Sequence, residues 1–128
     1  MKALVIILSI LNIQYSISKD LTYSIDGKEY LFKSIEKVMA SVQCFKGENV
    51  IEDNCTAIKK LNLLTSKDKS KYLPSGGADP GSYLCDKTKG ELKVGIAKDE
   101  SEMLFCQYED SSFIDVSSLY YRVYFSKK

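Results

Sequence analysis

The chain has no histidine, which removes the side chain that titrates near neutrality, the commonest general base and a leading zinc ligand. It has no tryptophan and only two prolines. Its 18 basic residues stand against 17 acidic ones, a formal charge of +1, so it carries neither an electrostatic footprint for nucleic acid nor a polybasic membrane patch. No apolar run reaches the ~20 residues that a spanning helix needs. Gly76-Gly77 is no phosphate cradle, because no strand precedes it and no Lys motif follows. The four cysteines form no Cys-x-x-Cys knuckle, so zinc has no ligand set. These gaps predict no catalytic residues, no metal and no cofactor.

What is present begins with Met1-Lys2, the apolar residues 3–13 and the polar stretch Gln14-Tyr15-Ser16-Ile17-Ser18, followed by Lys19-Asp20. This is the layout of a signal peptide spanning residues 1–18, with the small Ser16 and Ser18 placed for cleavage after Ser18. The rival, a membrane anchor, calls for a longer apolar span. Lipid attachment at the cut would need a cysteine there, and the first is Cys44. Loss of Lys2 takes 18 basic residues to 17, against 17 acidic. The mature chain is thus expected to be formally neutral, secreted or periplasmic, with no stable membrane insertion after signal cleavage.

Cys44, Cys55, Cys85 and Cys106 are an even set in an exported chain, which favours two disulfides. Three connectivities exist. Spacing favours Cys44 with Cys55 and Cys85 with Cys106, since each pair then closes one local unit. Each bridge would contribute on the order of 3 kcal/mol in the loop-entropy account.

The periodicities predict an α+β fold: a small disulfide-stapled domain with antiparallel hairpins and short helices. Residues 21–25 and 28–32 flank Asp26-Gly27, a tight-turn dipeptide that places Tyr23 opposite Tyr30 and Leu21 opposite Phe32. Ser34 is placed to cap a helix whose Ile35, Val38, Met39 and Val42 recur at i, i+3, i+4, i+7, with Gly47 as its stop. Asn49 or Asn54 would cap a second helix bearing Cys55, Ile58 and Leu61, so that residues 19–64 form a β-hairpin plus a helical hairpin. Residues 65–78, rich in Lys, Ser, Asp and Gly, read as a linker or long loop. Asp79-Pro80 opens a third helix ending at Gly90. Residues 92–96 and 103–108 form a hairpin about Asp99-Glu100-Ser101. After that Asp115 would cap a short helix, while the aromatic density of residues 119–125 favours a closing strand.

Asp79-Pro80-Gly81-Ser82-Tyr83-Leu84-Cys85, Gly90-Glu91-Leu92, Cys106, and Ile114-Asp115 through Tyr120-Tyr121-Arg122 together resemble a family of small exported bacterial domains of unknown function, whose members often carry a haemolysin label. The family pattern runs Asn-Pro-Ala-Ser, a Cys soon after, a Gly-Gly-Lys-Leu-like segment, a second Cys at this separation, an Asp-Gly turn and a Glu-Trp-aromatic-Arg ending. The likeness covers residues 79–122. Here Asp79 replaces Asn, Gly81 replaces Ala, Lys89-Gly90 replaces the paired glycines and Ser118 falls at the Trp. The resemblance implies the Cys85 to Cys106 bridge and a helix-then-hairpin order, and it brings no catalytic residues.

Nine Tyr and five Phe are many for a chain of this length. Tyr is amphipathic enough to face either a core or a partner, and the plainer reading is that half of these aromatics simply fill a small core. Tyr120, Tyr121 and Tyr124 flank Arg122, a mixture suited to a protein, peptide or glycan partner. Asp99-Glu100 and Glu109-Asp110 could supply acid and base, but adjacent acids in turns are ordinarily solvated surface. The function expected is a non-enzymatic binding or interaction module. The alternative is an inhibitor of an exported peptidase, presenting residues 45–54 or 65–79.

Overall fold

The computed structural model describes residues 19–47, 50–69 and 80–125. The predicted signal peptide, residues 1–18, and residues 70–79 of the predicted linker lie outside them. β1 (Lys19–Ile25) and β2 (Lys28–Ile35) form the expected hairpin. Asp26 and Gly27 take the two positive φ values, 54° and 82°, that a two-residue turn in a right-twisted ladder requires. Tyr23 lies opposite Tyr30 and Leu21 opposite Phe32, as read from the sequence.

The helix expected over residues 35–42 is instead β3 (Val38–Ser41), followed by a 3₁₀ turn, Val42–Cys44. Chain reversal occurs at Glu36-Lys37, with Glu36 at φ 55°, and Ile35 pairs with Val38. The apolar spacing fits both structures, because residues three and seven apart share a helical stripe yet also fall on strands once a two-residue turn intervenes. Ser34 caps nothing; it lies in β2 opposite Met39. Gly47 ends β4 (Phe45–Lys46), which pairs with β5 (Val50–Ile51), so the helical hairpin is a two-stranded ribbon leading into α1 (Thr56–Leu63). Cys55, not Asn49 or Asn54, occupies the cap position of α1. Its free N–H groups are met by a distant turn: Thr56 donates to Asp110 Oδ2 and Ala57 to Ser112 Oγ, both at 3.0 Å.

That contact makes stability acid-dependent. Partial burial works against ionisation of Asp110, but the Ser112 hydroxyl and the N–H groups of Thr56 and Ser112 outweigh it and hold the carboxyl at about 2 against an ordinary 3.8. A depressed folded-state value means the stabilisation is present above pH 3.8 and lost as pH falls toward 2. With solvent screening of this exposed side chain the effect is about 1 kcal/mol. Asp110→Asn should therefore lose less stability than the parent chain between pH 6 and pH 2 in urea titrations. Identical acid dependence in the two would refute the assignment.

α2 (Pro80–Lys87) begins at the expected proline, and β6 (Glu91–Ile96) and β7 (Glu102–Gln107) form the expected hairpin. The C-terminal order is corrected. The strand comes first, as β8 (Phe113–Asp115), and residues 119–124 belong to α3 (Val116–Tyr124) rather than to a strand. Val116, Leu119 and Val123 make its buried stripe, and that stripe overrides the β propensity of its tyrosines. Asp115 does cap it, its Oδ1 accepting the Ser117 N–H at 2.9 Å.

The six longer strands close into an antiparallel barrel in the order β1-β2-β3-β8-β7-β6. Closure joins strands from either side of residues 65–78 through Ala40 opposite Ile114 and Ser24 opposite Ile96. Tyr23, Ile25, Phe32, Phe105 and Phe113 form one buried cluster, with Phe32 and Phe105 stacked at 4.4 Å. Gly95 leaves room for the Phe105 ring, which an added Cβ would strike. Ala40, Ile114 and Cys106, on the alternate face, belong to a second cluster with Ile58, Leu61, Leu84, Leu119 and Val123 of the helices. Both disulfides are formed as expected, Cys44–Cys55 and Cys85–Cys106, with Cα separations of 5.0 and 5.6 Å. The fold is thus α+β with two bridges, organised by a barrel rather than by separate hairpins.

Candidate functional site

Ladder pairing between β3 and β8 stops at Ala40 and Ile114, so the N–H of Met39 faces α3 rather than a strand. Ser118 Oγ accepts it at 3.0 Å, and this bond docks the first turn of α3 on the end of β3. Once that register is set, Tyr121 lies one turn further on and faces the β2–β3 turn. Lys37 Nζ sits 5.1 Å from the Tyr121 ring centroid, within cation–π range. Arg122 closes the far side by donating Nε to Leu64 O at 3.1 Å and a terminal nitrogen to Asn62 O at 3.3 Å, carbonyls at the C-terminal end of α1.

Between these walls lie two adjoining hollows. One, of about 230 Å³, is lined by Val38, Leu61 and Arg122, and the other, of about 190 Å³, by Ser34, Met39, Asp115 and Ser117; Glu36, Lys37, Ser118 and Tyr121 line both. Each is smaller than the ~300–1,000 Å³ typical of small-molecule sites. The groove therefore suits one side chain or one sugar ring per hollow, held along a shallow surface. An apolar floor, an exposed tyrosine and both signs of charge lie within reach of such a segment.

No family model, curated protein or solved structure matches this chain. Of the four residues expected to form a contact surface, Tyr121 and Arg122 line the groove. Tyr120 and Tyr124 stack on each other at 4.7 Å along a separate flank of α3, with Lys69 over Tyr124 at 5.6 Å. The helix divides the set, because residues 120 and 124 share one face and 121 and 122 turn away from it. Arg122 also has a structural task, since its guanidinium is occupied with α1.

Glu36, Lys37, Ser117 and Ser118 were not legible as site residues. The signal that could have found the first two is a polar pair between two runs rich in strand-forming residues, masked here by helical spacing. The acidic pairs are turn-builders. Asp99 Oδ1 accepts from the Ser101 N–H and hydroxyl, which lower its pKa, and Asp110 does the same with Ser112. Among the described residues no group of three or more His, Cys, Asp or Glu is placed to hold a metal ion. No helix among them is long and apolar enough to cross a membrane.

Proposed function

We propose that this chain is an exported, non-enzymatic binding module that holds a short segment of a protein, peptide or glycan partner in the groove between α3 and the β2–β3 turn. The observation that carries this reading is the pair of adjoining hollows sharing Tyr121 and Lys37. An amphipathic ring beside a cation supplies apolar contact area with a polar edge, the composition found at contact hot spots. Export is supported by two disulfides, which persist in oxidising compartments. The non-enzymatic reading rests on the lack of histidine and on the bonding of all four cysteines, which leaves no activated nucleophile of the familiar kinds. Kinship of residues 79–122 to the haemolysin-labelled bacterial domains belongs to the same proposal.

Inhibition of an exported peptidase is the second reading. It is favoured by the β4–β5 ribbon, whose base is closed by Cys44–Cys55 and which exposes Val50.

The deciding experiment screens the mature protein against peptide and glycan arrays and then titrates any hit with variants. Tyr121→Ala should weaken binding roughly tenfold or more, while Tyr120→Ala leaves it within about twofold. Both variants should keep the parental melting temperature within a few degrees. Equal losses from the two tyrosines, or a hit indifferent to Tyr121, would overturn the groove as the contact site.

A further inference from the structure

The two-residue turn fixes which edge of β1 each backbone group faces. Ile25 and Lys28 close the hairpin as a pair exchanging both hydrogen bonds, so Ile25, Tyr23 and Leu21 direct their N–H and C=O groups toward β2. Ser24, Thr22 and Asp20 direct theirs toward the opposite edge. On that edge β6 pairs at one position only, Ser24 with Ile96. Continued pairing would place Lys98 opposite Thr22, but the chain departs at Ala97. There it bonds to itself: Ala97 donates to Ser101 O and Glu100 to Ala97 O, each at 2.9 Å.

The departure leaves a cleft of about 450 Å³ lined by Leu21, Thr22, Tyr23, Ala97, Lys98, Asp99 and Ser101. Its inner side is apolar, because Leu21, Tyr23 and Ala97 pack with the barrel cluster of Phe32 and Phe105. Its mouth carries one outward cation. Lys98 is exposed, whereas the carboxylate of Asp99 is turned onto Ser101 by two hydrogen bonds, at 3.0 and 2.7 Å. The cleft shares no residue with the α3 groove.

We infer that this cleft is a strand-addition site for an extended peptide segment of a partner protein. The segment would lie antiparallel to β1 and begin opposite Thr22, because Ile96 and Ala97 already stand opposite Ser24 and Tyr23, and its first residue would exchange both main-chain bonds with Thr22. That first residue, acidic, would meet Lys98, and the next would point an apolar side chain onto Leu21 beside Tyr23 and Ala97. Main-chain bonding supplies attachment and the alternating side chains supply selectivity, as in other strand-addition modes. An unpaired strand edge has this capacity wherever nothing covers it.

The test uses the isotope-labelled mature protein and the capped pentapeptide Glu-Val-Thr-Val-Ser. In the free protein the Thr22 amide should exchange with solvent on the order of tenfold or more faster than the amides of Leu21 and Tyr23, and saturating peptide should slow it by a similar factor. A peptide methylated on the acetylated Glu nitrogen lacks the donor that the Thr22 carbonyl needs, and should bind on the order of tenfold more weakly. Thr22→Pro removes the N–H on the cleft side and none directed at β2, so it should abolish peptide binding. Should that variant fail to fold, the methylated peptide on the parent protein still decides. Tyr121→Ala should leave this binding unchanged, which separates the cleft from the groove. Protection of Thr22 equal to that of Tyr23 in the free protein would overturn the inference. So would equal affinity of the two peptides, or no binding at about 1 mM.

Discussion

Phe105→Ala is expected to destabilise the domain by about 3–5 kcal/mol, the range for deleting a large aromatic side chain from a packed core. The ring is fully buried, stacks on Phe32 at 4.4 Å and meets Tyr23 edge-on at 5.0 Å. Its loss removes apolar burial and leaves a void in the middle of the barrel, where Gly95 offers no side chain to fill it. Strands on both sides lose their common packing partner. Domains of this size have about 5–15 kcal/mol in total, so about a fifth or more of the stability is at stake. Urea unfolding followed by circular dichroism measures it. Leu31→Ala, at a β2 position 51% exposed, is the control and should change stability by less than about 0.5 kcal/mol. Comparable effects at the two positions would show that the barrel interior is not the core described.

Removing the Cys85–Cys106 bridge, by replacing both residues with Ala, should lower stability by on the order of 3 kcal/mol and the melting temperature by roughly 15 °C. The bridge closes a separation of 21 residues and joins α2 to the outer face of β7. Both half-cystines are fully buried, and Gly90 lies against the two sulfurs so closely that an added Cβ would collide with Cys106 Sγ. Gly90→Ala should thus destabilise with both cysteines kept. The Cys44–Cys55 bridge closes 11 residues, and loop length alone makes its contribution about 0.6 kcal/mol smaller. Thermal melts of the two double variants compare them. A melting temperature unchanged by loss of Cys85–Cys106 would mean that helix packing holds α2 without the bridge.

Residues whose partners lie close in sequence were legible. Asp26-Gly27 marked its turn because so few dipeptides accept two positive φ angles, and Pro80 and Asp115 marked helix starts because each has a local capping or backbone role. The lining of the groove was legible only in part. Tyr121 and Arg122 line the groove, but Tyr120 and Tyr124 face elsewhere once the segment is a helix. Residues 34–42 were misread because spacing alone does not separate a helical stripe from two strands joined at Glu36-Lys37.

By itself the sequence determined the chemical limits of this protein and its local geometry: no histidine chemistry, an even set of cysteines paired within local units, and several turns and caps. Tertiary structure alone decided that β3 is a strand, that β1 meets β6 and β3 meets β8, and that α3 faces the β2–β3 turn. The reason is the range of the forces involved. A turn or cap is stabilised by atoms within a few residues, whereas a ladder such as Ala40 with Ile114, or the Ser118 bond to Met39, gains energy only after distant segments have met. Both proposed contact sites lie where such long-range pairing stops, one at the end of β3 and one beside β1, and no local pattern of residues marks where a ladder will end.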